Sequence, residues 1–258
     1  RFNPRAVLLI ETEIWPNLVA QAAARAVPVA LLNARLSARS ARGYGRFGAL
    51  LKPTLRSLDL IVAQTKADAR RFMALGVEPS RLAISGNIKF DQHLTPELHA
   101  EAAQIRAQWG GGTRDVWLAA STHEGEEQQV LRAYELLVKQ HPKVLLCIVP
   151  RHPDRFDRVF QIALAANPKT MRRSSNPTIE ADTQVVVADT MGELVPMLGA
   201  ADVVFMGGSL VPTGGHNMLE VAQWGVPVVS GPHTFNFAYA SRLLIKAQAM
   251  LIAKDAEE

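Results

Sequence analysis

A glycine-rich segment in the second half of the chain is the clearest candidate for chemistry, because it joins a strand-like run to a helical pattern. The apolar run Val203–Met206 is followed by two glycine pairs, in the segments Gly207–Ser209 and Gly214–Asn217. Glycine lets backbone N–H groups approach a ligand closely, and the start of a helix adds unpaired N–H groups and the positive end of a dipole. The pattern predicts a site for an anion such as a nucleotide phosphate.

An acidic residue, Glu220, falls in the first turn of the helix expected after this segment, where its carboxylate can accept hydrogen bonds from a ribose diol. A second interpretation fits the same residues: a tight turn capped by Asn217, with Glu220 only complementing the helix dipole. The sequence leaves both interpretations open. Further candidate ligand contacts in this segment are Gly208, Gly214, Gly215 and His216.

Three more polar segments follow buried strand-like runs, at the carboxyl ends where open α/β sheets bind ligands. Arg151 follows the run Val144–Val149 and can make bidentate contacts to phosphate or carboxylate. The segment Asp189–Glu193 predicts either a contact to the base or sugar of a nucleotide or an ordinary capping box. Ser121 and Thr122 suit either a helix cap or a phosphate contact.

The residues next along the chain, His123–Glu127, combine one histidine with three carboxylates. Their spacing is not that of a metallohydrolase, and the sequence offers no second histidine cluster to complete a site. We therefore predict no metal.

In the first half of the chain, two acids lie at the end of a strand-like run. Glu11 and Glu13 are candidates to stabilise charge in a transition state, although at least one of them also suits a helix cap. Lys89 comes just before a polar, turn-rich stretch. It is therefore expected to face a cleft between domains and to meet an acidic sugar there.

Four arginines, Arg35, Arg39, Arg42 and Arg46, recur at spacings of four, three and four residues. On a helix they would line one face, which suits an anionic lipid surface or a lipid phosphate. A charge run is more often a solvated face, and two glycines within this stretch weaken the helix. Both interpretations of the arginines stay open.

The elements that position these residues follow from an alternation of short apolar runs with helical patterns. Such an alternation predicts parallel sheets with right-handed crossovers. We place a domain boundary in the polar stretch at 90–96, with residues 1–93 as one domain and residues 94–258 as the other. The first domain has too few strand-like runs for a complete doubly wound sheet, so its opening strands are expected to precede residue 1, and the second is expected to continue past residue 258. The helices predicted nearest the candidate sites are Pro16–Ala26, Gly125–Lys139, Gly192–Leu198 and Asn217–Gln223.

Composition limits the classes of function. Hydrophobic residues make up 48% of the 258 residues, which is enough for a packed core, and no apolar run is long enough to span a membrane. The net charge of +4 suits an anionic substrate or surface, whereas aromatic residues are too few and scattered for stacking on nucleic acid, so no nucleic-acid partner is predicted. The single cysteine, Cys147, lies in an apolar run and is expected to be a buried thiol.

Nine short motifs, taken in order, connect the chain to a known family. They are Glu11–Asn17, Asn33–Ser40, Gly86–Asp91, Ser121–Glu126, Pro150–Pro153, Asp189–Glu193, Gly207–Ser209, Gly214–Asn217 and Gly231–Phe237. Each motif alone is weak, but the series resembles the 3-deoxy-D-manno-octulosonic acid (Kdo) transferase family of lipopolysaccharide assembly and follows that family's order across nearly the whole chain. The resemblance implies a B-type glycosyltransferase, an α/β protein with two Rossmann-like halves.

The resemblance also implies roles for individual residues. The donor, CMP-Kdo, would bind the C-terminal half, and the acceptor, a lipid A precursor, would approach the N-terminal half. Glu11 and Lys89 match family positions that stabilise the transition state. The positions that match the family's CMP contacts are Pro150, Arg151, Met191, Gly192, Glu193, Asn217, Met218, Leu219 and Glu220.

One family feature has no counterpart in this sequence. The family's general base is a glutamate that would lie upstream of residue 1, so the chain as it stands is expected to be inactive. The resemblance implies no cofactor. The family resemblance implies a location on the cytoplasmic face of the bacterial inner membrane, with the four arginines as candidate membrane contacts.

Two alternative functions remain compatible with the sequence. A nucleotide-sugar epimerase shares the two-half fold and a glycine-rich loop before a helix that carries a glutamate, but it would bind a uridine diphosphate donor. A non-catalytic CMP-binding fragment is the other. Binding of CMP rather than UDP separates the transferase from the epimerase, and turnover separates the transferase from a binding module.

Overall fold

The computed structural model describes residues 3–46, 48–88, 93–176 and 178–258, without the side chains of residues 39, 45, 46 and 48–50. The chain divides into two compact units, Arg1–Gln92 and His93–Glu258. Each unit is an α/β structure with its own hydrophobic core. The predicted fold class of two parallel-sheet halves is confirmed.

The first unit carries a four-stranded parallel sheet in the order β1-β2-β3-β4. A proline at the first helical position starts α1, and Thr65 caps α4 by accepting a hydrogen bond from the amide of Asp68. The elements are β1 Val7–Ile10, α1 Pro16–Ala23, β2 Val29–Ala34, α2 Ala38–Arg46, α3 Gly48–Arg56, β3 Leu60–Ala63, α4 Lys66–Ala74 and β4 Leu82–Ile84.

The second unit carries a seven-stranded parallel sheet in the order β11-β10-β9-β5-β6-β8-β7. Its central strands are buried on both faces, which explains their continuous apolar sequence. The elements are α5 Pro96–Gln108, β5 Val116–Thr122, α6 Glu126–Leu137, β6 Leu145–Pro150, α7 Phe156–Ala166, β7 Thr170–Arg172, β8 Val185–Val187, α8 Leu194–Ala200, β9 Val203–Met206, α9 Leu219–Ala222, β10 Val228–Ser230, α10 Ala238–Lys246 and β11 Met250–Ile252.

The cysteine expected in the core lies in β6 and is fully buried. Burial raises the pKa of the Cys147 thiol to about 12, so the sulfur stays protonated and inert at neutral pH. This position favours packing over reactivity for the thiol.

Several predicted elements differ from those observed. The helix predicted over Gly192–Leu198 begins two residues later, at Leu194, because Gly192 has a left-handed backbone with φ of +85°. The helix predicted over Asn217–Gln223 contains only α9, which is four residues long. The edge strand β7 was missed since Met171 is its only apolar residue, so it shows no hydrophobic run.

The arginine stripe is only partly helical. Arg39, Arg42 and Arg46 fall within α2, whereas Arg35 precedes the helix, so the four do not share one helical face. Arg35 and Arg42 are exposed, and the side chains of the other two lie outside the described residues. Within the described ranges, no helix is both long and apolar enough to cross a lipid bilayer.

Candidate functional site

The predicted ligand-binding segments of the second unit lie at one edge of its sheet. Because β5, β6, β8 and β9 are parallel, the residues that follow each strand emerge at the same carboxyl edge. Thr122 ends β5 at this edge, and Arg151, Asp189 and Gly207 come after β6, β8 and β9. The sheet therefore brings together what the sequence spreads over about 90 positions.

A buried carboxylate, Glu126, holds this edge together. Its two oxygens accept hydrogen bonds from the amide of Gly208 at 2.7 Å, from those of Ser209 and Leu210 at 2.9 Å each, and from that of His123 at 2.8 Å. Glu126 lies in the first turn of α6 and has no exposed surface. This corrects the expectation that the first glycine pair offers free amides to a ligand, because the protein's own carboxylate takes the amide of Gly208.

The second glycine pair leads to three amides without a hydrogen-bond partner among the described residues. The amide of Gly215 donates to the carbonyl of Gly208 at 2.7 Å. The next three amides, of His216, Asn217 and Met218, have no acceptor among the described residues. Met218 has no exposed surface, whereas His216 and Asn217 are partly exposed, so the amides of His216 and Asn217 are the two that suit an anion at this edge of the sheet.

The side chain of Asn217 does not cap α9, which corrects the capping interpretation. Its Nδ2 atom instead donates to Oε1 of Glu220 at 2.9 Å, and its buried Oδ1 atom has no hydrogen-bond partner in the described part of the chain. Because α9 has only four residues, its dipole contributes little. The loop amides, rather than the helix, are therefore the anion donors that this segment offers.

Arg151 follows β6 with its backbone amide bonded to the carbonyl of Thr122 at 3.0 Å. Its side chain is exposed, and none of the described residues forms an ion pair with its guanidinium. The neighbouring arginine differs: Arg155 makes a bidentate ion pair with the fully buried Glu127, at 2.8 and 3.0 Å. One arginine is thus structural, while the other is available to a ligand.

Three imidazoles meet beside Arg151. The Nε2 atoms of His123 and His216 lie 2.8 Å apart, with 16° between their ring planes, and His152 approaches the His123 ring edge-on at 5.7 Å between centroids. Burial lowers the pKa of His216 to about 4, with His123, Arg151 and His152 adding repulsion. Burial likewise lowers the pKa of His123, although Glu126 opposes the shift.

In the segment Asp189–Glu193, both carboxylates accept hydrogen bonds from other residues of the protein. Arg173 donates to both oxygens of Glu193 at 2.9 and 3.0 Å, and this pairing lowers the pKa of Glu193. The hydroxyl of Thr190 bonds the Glu193 carboxylate, and neither side chain caps the amides of α8, so the predicted capping box is wrong. Met191 is exposed, and no atom lies within 4 Å of a Cβ placed on Gly192, which leaves the backbone there open to approach.

Two further predicted contacts, Ser121 and Thr122, lie at the end of β5, where the backbone conformation and the hydrogen bonding are both unusual. Ser121 is a non-glycine residue with a left-handed φ of +55°, and both residues are buried. The Thr122 hydroxyl has no hydrogen-bond partner among the described residues. Strained backbone and unpaired polar atoms of this kind concentrate at functional sites.

In the first unit, two residues with left-handed backbones end neighbouring strands. Glu11 follows β1 with φ of +63°, and Asn33 lies near the end of β2 with φ of +52°. The buried Asn33 side chain accepts a hydrogen bond from the amide of Ile88 at 3.2 Å, while its Nδ2 atom has no partner in the described ranges. Lys89, the residue after Ile88, lies outside the described residues. Glu13 accepts from the Trp15 indole and does not cap α1.

Sequence reasoning missed Glu126, Glu127, His123 and His152 as organising residues of this edge. The signal was two successive acids in the first turn of a helix, directly after a buried strand. Exposed first-turn acids are common, so only their complete burial distinguishes these two. Among the described residues, no group of three or more histidine, cysteine or acidic side chains is arranged to hold a metal ion.

Comparison with known proteins identifies relatives of this chain. A family profile described as 3-deoxy-D-manno-octulosonic-acid transferase matches residues 1–92. A 3-deoxy-D-manno-octulosonic acid transferase of Haemophilus influenzae is 42% identical over 96% of this chain, which spans 58% of that relative's length. The crystal structure of the C-terminal CMP-Kdo binding domain of WaaA from Acinetobacter baumannii is 45% identical, with a TM-score of 0.59, over 63% of this chain and 84% of that one.

A more distant likeness bears on the fold alone. The crystal structure of UDP-GlcNAc 2-epimerase from Neisseria meningitidis bound to UDP-GlcNAc covers 98% of this chain and 65% of its own, with a TM-score of 0.61 but only 15% identity. At that identity, the likeness reports the arrangement of strands and helices within α/β units. It gives no support to epimerase chemistry in this chain.

Proposed function

This chain belongs to the Kdo transferase family, and on that premise we propose that the protein moves Kdo from CMP-Kdo to a lipid A precursor, inverting the anomeric carbon. A bond forms between an acceptor hydroxyl oxygen and the anomeric carbon, while the bond from that carbon to the phosphate oxygen breaks. The electron pair leaves with CMP, and the acceptor's proton goes to a general base. The leaving group is a monophosphate, so its charge is the main quantity to stabilise.

One observation carries the proposal: the amides of His216 and Asn217 share the carboxyl edge of the sheet with the exposed guanidinium of Arg151, and none of the three has a partner among the described residues. A leaving CMP needs hydrogen-bond donors on its phosphate, and these groups supply them without a metal. The WaaA domain at 45% identity is named for CMP-Kdo binding, which supports the same donor here.

The remaining contacts to CMP-Kdo are assigned to the same carboxyl edge of the second unit's sheet. The exposed backbone at Met191–Gly192 and the end of β6 at Pro150 would bracket the cytidine. Glu220, held by Asn217, would accept from the ribose diol, next to the buried Leu219 in the chain. Glu193 is bonded to Arg173, so we assign it a role in fixing this loop as well as contacting the nucleoside.

Acceptor-side roles are assigned to the first unit. Glu11, at the end of β1, and Lys89 would stabilise developing charge during transfer. The exposed Arg35 and Arg42, with Arg39 and Arg46, would contact the anionic inner-membrane surface on its cytoplasmic side. Residues 1–92 would thus receive the lipid, and residues 93–258 the nucleotide sugar.

Isothermal titration calorimetry on the complete gene product tests the donor assignment. We expect binding of CMP but not UDP, and a loss of about tenfold in CMP affinity for Arg151→Ala, because one charge-assisted contact is removed. Arg158→Ala is the matched control, since Arg158 is an exposed arginine paired with Glu124. Preference for UDP, or equal losses in the two variants, would refute the donor assignment.

Two further measurements test the transfer reaction and the membrane contact. Chelator treatment should leave transfer of Kdo unchanged, and activity that returns only with a divalent ion would overturn the metal-free mechanism.

Replacement of Arg35 and Arg42 by glutamate should reduce co-sedimentation with anionic vesicles but leave CMP affinity unchanged. Unaltered co-sedimentation would remove these arginines from the membrane contact.

A further inference from the structure

The pair formed by His123 and His216 has no role in the site as assigned so far. The two residues come from loops after β5 and β9, and their Nε2 atoms lie 2.8 Å apart. The ring centroids are 5.0 Å apart with 16° between the ring planes, so the two rings meet end to end and nearly coplanar. Since His216 adjoins the unpaired amide of Asn217, the pair lies directly beside the anion donors.

The chemistry of this contact restricts its protonation. Because one Nε2 atom must donate and the other must accept, the pair can hold at most one positive charge and keep its hydrogen bond. With one added proton, the charged ring still donates to its neutral partner. With two added protons, both Nε2 atoms carry hydrogen and the contact becomes repulsive.

The guanidinium groups of Arg151 and Arg155 oppose a positive charge on His123, and that of Arg151 also opposes one on His216. The carboxylate of Glu126 favours a charge on His123, but it is already bonded to four amides, and Glu127 is paired with Arg155. Burial and these cations keep both imidazoles neutral near neutral pH, so an arriving anion would change the balance most at this point.

We propose that the His123–His216 pair and Arg151 form the subsite that receives an acidic group of the donor, and that the pair takes up one proton from solvent as this group binds. The inference rests on the proposed function, since it needs a nucleotide donor with a phosphate or a carboxylate. The proton turns a neutral pair into a singly charged one, which adds a charge-assisted contact only while the anion is bound. The subsite thereby favours the anionic ligand without burying an unpaired charge beforehand.

Proton uptake is measurable by calorimetry of the complete gene product in two buffers with different ionisation enthalpies, near neutral pH. Cytidine, CMP and CMP-Kdo are the three ligands. We expect no uptake with cytidine and about one proton with an acidic ligand. Uptake with CMP assigns the subsite to the phosphate, whereas uptake only with CMP-Kdo assigns it to the sugar carboxylate.

Two variants, His123→Asn and His216→Asn, should each abolish uptake and weaken binding of the acidic ligand about tenfold, while leaving cytidine affinity unchanged. The unchanged cytidine affinity also shows that the variant is folded. His141→Asn is the matched control, because His141 is exposed before β6, at the opposite edge of the sheet. It should behave as the wild type.

The outcomes separate this inference from the function on which it rests. If CMP binds but neither CMP nor CMP-Kdo causes proton uptake, the histidine subsite is overturned and the transferase assignment stands. The same follows if proton uptake persists in both variants. A wild-type protein that binds UDP and not CMP would overturn both.

Discussion

Both units of this protein hold their sheet edges with a buried carboxylate in the first turn of a helix, but the two do so to different extents. In the second unit, Glu126 binds four backbone amides, three of them from the loop after a different strand. In the first unit, Asp68 of α4 binds one distant amide, that of Leu36, at 3.0 Å. The same device therefore fixes the loops of one edge far more tightly than those of the other.

This difference fits the tasks assigned to the two edges. A site that stabilises charge on a leaving phosphate works through donors already held in place, because reorganising them would cost part of the stabilisation. Left-handed non-glycine backbone occurs at both edges, at Glu11 and Asn33 in the first unit and at Ser121 in the second, so backbone strain does not distinguish them. The difference is that Asp68 binds one distant backbone amide, whereas Glu126 binds three.

The largest effect is expected from Glu126→Ala. Removing this carboxylate leaves four amides without an acceptor, two of them buried and two partly buried, which should lower the free energy of unfolding by about 3 to 5 kcal/mol. Denaturant unfolding measures the loss, and hydrogen exchange should show lost protection at Gly208, Ser209 and Leu210. The control is Glu124→Ala, an exposed acid paired with Arg158, with an expected loss of roughly 0.5 kcal/mol. Similar losses in the two variants would contradict the bracing role.

A smaller effect is expected from Asp68→Ala. This carboxylate has one distant backbone partner, Leu36, together with Thr65 and Arg71 nearby, so its loss should cost about 2 kcal/mol. The lost protection should be confined to the amide of Leu36. If Asp68→Ala destabilised the protein more than Glu126→Ala, the contrast between the two edges would be wrong.

Much of the second unit's sheet was predictable because buried parallel strands leave continuous apolar runs, as in β5, β6 and β9. The strand β7 was missed because an edge strand needs no such run. The positions of Arg151 and the second glycine pair at one edge also followed from the alternation of strands and helices. Strand order then decided which of these segments became neighbours.

The sequence could not predict which backbone amides are already bonded to an acceptor of the protein. Two similar glycine pairs precede α9, yet Gly208 of the first pair donates its amide to Glu126, and the second pair leads to amides that have no partner in the described part of the chain. The helix predicted at Asn217 shortened to four residues, which moved the anion argument from a helix dipole to loop amides. Such assignments depend on which side chain fills which space, and residue spacing carries no information on that.

A still smaller effect, with a readout at the ligand, is expected from Gly208→Ala. A Cβ at this left-handed position, with φ of +67°, would lie 3.1 Å from the His216 ring and 3.4 Å from the His123 ring. Gly225→Ala is the control, since it has φ of +71° and no atom within 4 Å of the added carbon. Both substitutions should cost about 1 kcal/mol of stability from backbone strain, but only Gly208→Ala should weaken CMP binding. If the Gly208→Ala and Gly225→Ala variants bind CMP equally well, the histidine pair is not part of the CMP site.

The smallest effect is expected from Glu193→Gln, and it depends on pH. The hydrogen bonds from Arg173 lower the pKa of Glu193 from its usual 4.5 in the folded state, so the unfolded chain binds a proton there more readily. The stabilisation is therefore present above pH 4.5 and is lost as the pH falls through the folded-state pKa. Wild type and Glu193→Gln should differ in denaturant midpoint at neutral pH and converge in acid. A difference that stayed constant across this range would mean that the ion pair with Arg173 contributes nothing to holding the loop before α8, and that this edge of the sheet is held by contacts such as those of Glu126 and Glu127 instead.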